Sequence, residues 1–86
     1  MACDHINALK LAGEGKWDDA HALVQPFSDQ WSCLIHGYLH RVEGDLANAR
    51  YWYGRADANM PDNSLEDEFQ RLYSIVGGAK SSSKQG

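Results

Sequence analysis

Nothing in this chain approaches the ~20 consecutive apolar residues that a membrane-spanning helix requires, so no membrane partner is expected. The first residues, Met1-Ala2-Cys3-Asp4-His5, lack the basic and apolar regions of a signal peptide; the expected location is the cytoplasm. Basic residues are few, eight Lys and Arg against twelve Asp and Glu, for a formal charge of −4. They are scattered rather than gathered into a stripe, which argues against nucleic acid as a partner. The only cysteines, Cys3 and Cys33, have no C-x-x-C spacing. Neither a disulfide framework nor a zinc knuckle is indicated, and reduced thiols are expected. Proline is confined to Pro26 and Pro61, both near proposed helix ends, which suits an all-helical chain.

What is present is ordinary for a globular protein: 86 residues, enough for one domain, with 43% hydrophobic content. The clearest helical signal lies between Asp29 and Glu43. Trp31, Leu34, Ile35, Tyr38, Leu39 and Val42 recur at helical spacing and share one face. Ser28 or Asp29 can cap its start, and Gly44 can end it in a left-handed conformation. Asp45 then caps a helix with the stripe Leu46, Ala49, Tyr53 and Ala56, which Pro61 keeps from continuing.

Earlier, Ile6, Leu9 and Ala12 predict a first helix ending near Gly13. Trp17, Ala20 and Leu23 or Val24 predict a second, terminated by Pro26. Late in the chain, Asn63-x-x-Glu66 or Ser64-x-x-Asp67 resembles a capping box. Leu65, Phe69, Leu72, Tyr73 and Val76 follow on one face, with Gly77-Gly78 as the expected stop. The expected organisation is one domain over residues 1–78 and a disordered polar tail over 79–86.

Glu14-Gly15-x-Trp17-x-x-Ala20 is echoed 29 residues later by Glu43-Gly44-x-Leu46-x-x-Ala49. A repeated helix pair points to a stacked solenoid. The segment resembles a tetratricopeptide repeat, and Leu46-Ala47-Asn48-Ala49-Arg50-Tyr51-Trp52-Tyr53-Gly54-Arg55-Ala56 equally resembles the Sel-type relative. Gly37, Gly44, Ala49, Tyr53, Ala56 and Pro61 match six positions of the family. The first pair matches only at Ala8, Gly15, Ala20 and Val24, and its period is shorter than the usual 34. The resemblance implies an all-α fold: two antiparallel helix pairs plus a C-terminal capping helix in a right-handed α-solenoid. It also implies a concave surface for a peptide or protein partner.

The third helix carries polar groups beside its apolar stripe. His36 and His40 are four apart and Glu43 follows three later, a spacing at which two imidazoles can hold a metal and a carboxylate can complete the site or orient a ring. A structural zinc needs four ligands, so no metal or cofactor is assigned. His5 and His21 can contribute only if the first helix pair folds across them. The competing reading has His36 in a groove and His40 bonded to a carbonyl or to Glu43. Tyr51, Trp52 and Tyr53 are consecutive and cannot share a helix face; with Tyr53 inward, Trp52 is either covered by the fifth helix or left as an aromatic anchor beside Arg55. Cys33 and His36 form the only thiol–imidazole pair, without a cleft or oxyanion hole, and no catalytic residue is assigned.

The resulting expectation is a small non-enzymatic module binding a peptide or protein segment through His36, His40, Glu43, Trp52 and Arg55. The alternative is a metal- or small-ligand-binding protein, or an enzyme built on such a site, using His36, His40 and Glu43. Self-association into a homodimer through uncovered aromatics is a third reading.

Overall fold

The computed structural model describes the backbone of residues 3–85 and the side chains of residues 3–77. Among them are five helices and no strand: α1 (His5–Gly13), α2 (Trp17–Val24), α3 (Gln30–Glu43), α4 (Leu46–Arg55) and α5 (Leu65–Gln85). Local chemistry explains most boundaries. Asp4, Asp29 and Asp45 each accept a hydrogen bond from the backbone amide three residues on, satisfying donors that a helix start leaves free. Ser64 Oγ does the same for Asp67, which decides between the two capping boxes. Gly15 and Gly44 have φ of 79° and 89°, so the Glu-Gly echo marks two turns that need a left-handed residue.

Two expected stops lie elsewhere. α4 ends at Arg55, well before Pro61. Asp57, at φ 59°, turns the chain, with the Asp57 and Ala58 amides donating to Gly54 and Tyr53 carbonyls. α5 runs through Gly77-Gly78, because glycine weakens a helix interior but halts it only where the backbone turns left-handed. Gly77 serves close packing instead: a Cβ there would sit 3.3 Å from Ile6 Cδ1. Of the expected tail at 79–86, the side chains lie outside the described residues, as does all of Gly86.

α3 is the hub. It packs against α1, α2, α4 and α5, so every residue from Ser32 to His40 is buried, rather than one stripe. Leu34, Ile35, Tyr38 and Leu39 join Leu9, Val24, Tyr53 and Leu72 in the core. Val42 and Leu46, assigned to apolar faces by spacing, are 44% and 47% exposed, because both sit by the α3–α4 turn.

Among the described residues, α5 lies against α3 and α1, whereas the α4 backbone comes close to α3 alone. One clasp joins α4 to α5. Glu68, fully buried, accepts hydrogen bonds from Tyr53 Oη at 2.7 Å, Asn63 Nδ2 at 3.0 Å and both Nε and Nη2 of Arg71. Arg41 in turn holds the Asn63 side chain and carbonyl. Burial alone would raise the Glu68 carboxyl, but the donors from Arg71, Asn63 and Tyr53 hold it below its usual value. The Tyr53 phenol is pushed far up by burial and by that carboxylate.

Candidate functional site

α2 and α3 meet through aromatic rings. Trp17 opens α2 and donates from Nε1 to the Leu39 carbonyl at 2.6 Å, anchoring one helix on the other. One turn later His21 stacks on the Trp17 indole, with centroids 4.7 Å apart. The His21 ring then meets His36 edge-on at 4.6 Å and His40 at 5.4 Å. His36 and His40, one turn apart on α3, stack on each other at 5.0 Å. From α4, Trp52 lies flat on His36 with centroids 3.9 Å apart. Three imidazoles thus sit between two indoles at the junction of α2, α3 and α4.

Their donor atoms are close: one ring nitrogen from each of His21, His36 and His40 lies within 4.8 Å of the others. His40 Nδ1 pairs with Glu43 Oε2 at 2.7 Å, leaving Nε2 for another partner. His36 Nδ1 is buried and has no hydrogen-bond partner. Burial, followed by the adjacent His21 and His40, lowers the His36 pKa to about 4. Burial and His40 also lower His21, against the opposing pull of Glu43 and Asp18. Both shifts favour the neutral imidazoles of His36 and His21, whose lone pairs are then available. A second grouping, of His40 with Glu43 and Asp45, lies at the exposed end of α3.

The residues named from spacing thus separate. His36 and His40 come together as expected, but they are 3% and 6% exposed and offer a partner protein no surface. Glu43 is exposed and serves as the hydrogen-bond partner of His40. Trp52 is half-buried under His36 and under Arg55, whose guanidinium lies 5.3 Å from the indole centroid, not under the fifth helix. Arg55 remains exposed and donates to Tyr51 Oη at 2.9 Å.

His21 is the member that spacing missed. The signal for it was the condition that the first helix pair fold across α3, which the Trp17 anchor fulfils. His5 takes another route, bonding Asp29 at 2.8 Å and Ser32 at 3.1 Å. The Cys33 thiol is buried and its pKa raised by burial, the opposite of what a nucleophile needs. No protein-family model, curated protein or solved structure matches the chain.

Proposed function

We propose that the chain is a non-enzymatic protein-interaction module that docks an acidic peptide or protein segment on the outward face of α4. The observation that carries the reading is the one-sided packing of α4: among the described residues its inner face packs on α3 and reaches α5 through the Tyr53–Glu68 hydrogen bond, while Arg50, Tyr51 and Arg55 stay exposed. Leu46 and Tyr51, 47% and 53% exposed, lie outward together with Arg50 and Arg55. α4 holds two arginines and no acidic residue in a chain of net charge −4. Exposed aromatic and arginine side chains are the types that dominate interface energetics, and guanidinium suits carboxylates.

A repeat-like arrangement of the α1–α2 and α3–α4 pairs belongs to the same reading. It is supported by the paired Gly15 and Gly44 turns and by Gly37 lying under the Tyr53 ring. The test is affinity capture from the source cell with the native chain and with an Arg50→Glu/Arg55→Glu variant of unchanged circular dichroism. The proposal expects a partner with an acidic contact segment that is lost with the variant. Equal recovery by both forms would reject the α4 face.

A further inference from the structure

The three-histidine cluster is independent of the α4 surface and calls for its own explanation. A packing role would be met by phenylalanine at position 36, which fills similar space without a buried nitrogen lacking a partner. His36 is instead an imidazole, 3% exposed, with Nδ1 unpartnered. The ring nitrogens of His21, His36 and His40 lie within 4.8 Å of one another. A tetrahedral ion with metal–nitrogen bonds of about 2.0–2.1 Å needs its donors roughly 3.3 Å apart, so the rings have to draw in by at most about 1.5 Å. Glu43 on His40 Nδ1 is the carboxylate–histidine pairing that fixes the tautomer and strengthens the opposite nitrogen as a ligand. The indoles of Trp17 and Trp52, stacked on His21 and His36, hold two ring planes.

We infer that His21, His36 and His40 form a binding site for one late first-row divalent ion of the zinc, nickel, cobalt and copper class, with Glu43 as the outer partner of His40. Three neutral nitrogens suit these borderline ions rather than magnesium or calcium, which take oxygen ligands. They leave a fourth position for water or a small anion. The exposed grouping of His40 with Glu43 and Asp45 is the weaker candidate, because solvated carboxylates have no unmet need for an ion. The ion would join α2 to α3 and so tie the first two helices to the hub.

The experiment is titration of the untagged full chain with Zn2+ and Co2+, followed by calorimetry, cobalt d–d absorption and imidazole nitrogen resonances. The expected result is one ion per chain, with ring shifts at His21, His36 and His40 and none at His5. His21→Gln should weaken binding at least 100-fold and His5→Gln should leave it unchanged. Glu43→Gln, which takes the carboxylate from His40 Nδ1, should weaken it about 10–100-fold. No binding at millimolar metal, or binding indifferent to His21→Gln, would overturn the site. Should His21→Gln fail to fold, the ring shifts of the native chain and the Glu43→Gln affinity decide: shifts confined to the trio with weaker Glu43→Gln binding support the site, and shifts spread over all four histidines, or unchanged Glu43→Gln affinity, reject it.

Discussion

Gly37 is the position where a single missing methyl group matters most. A Cβ there would lie 2.7 Å from Tyr53 Cδ2 and 3.2 Å from the Ala49 carbonyl. Tyr53 cannot swing aside, because its hydroxyl is held by the buried Glu68. Gly37→Ala should therefore destabilise the protein by about 1–3 kcal/mol, despite the better helix propensity of alanine; urea unfolding monitored by circular dichroism would measure it. An unchanged midpoint would mean that α4 is free to move off α3. The small residue at 37 was legible through the resemblance to a helical repeat. Its cause, a tyrosine clasped from α5, was not, since Glu68 read only as one acid among several at the start of a helix. Likewise His36 and His40 were visible as a pair, while His21 was only one of two further histidines, because nothing local says which helix crosses which.

At the scale of the element, α3 and its exit turn are instructive. The Glu43-Gly44-Asp45 turn is built from local pieces: Gly44 at φ 89° with its amide on the Arg41 carbonyl, and Asp45 capping α4. Gly44→Ala meets no neighbour within 4 Å, so its cost is purely that of a left-handed alanine, about 1–2 kcal/mol. Thermal unfolding should show that loss, and Gly44→Asn, which tolerates the conformation better, should show less. Such turns depend on a few adjacent residues and are therefore readable. The burial of α3 on all sides is different. Periodicity marks the face of a helix that meets one neighbour, whereas α3 meets four, so Ser32, His36 and His40 are enclosed along with the apolar stripe.

At the scale of the molecule, the buried histidines make stability depend on pH. The folded-state pKa of His36 lies at about 4, below the ordinary histidine value of 6.5, and His21 is shifted the same way. Between these values the unfolded chain binds more protons than the folded one, so stability is full above pH 6.5 and falls as pH drops toward 4. The charged groups near the cluster are Asp18 on α2 and Glu43 on α3, with Arg55 of α4 lying over the far side of Trp52; the carboxylates soften the loss and do not reverse it. The loss should amount to a few kcal/mol, on the order of 1.4 kcal/mol for each pH unit crossed below the ordinary value. Chemical unfolding at pH 7.5, 6, 5 and 4.5 would measure the slope, and a flat profile in that window would contradict the burial of neutral rings.

The helices, their caps and the two glycine turns were determined by the sequence alone, because side-chain-to-amide hydrogen bonds and left-handed glycines act over three or four residues. No helix among the described residues is long and apolar enough to cross a membrane, which composition had already indicated. Only the tertiary structure decided that α5 settles on α1 and α3, that Glu68 is buried against Tyr53, and that His21 joins His36 and His40 between two indoles. Those pairings come from helices meeting across many residues of intervening chain. Each helix offers several faces of similar character, and the choice among them belongs to the packing of all five together.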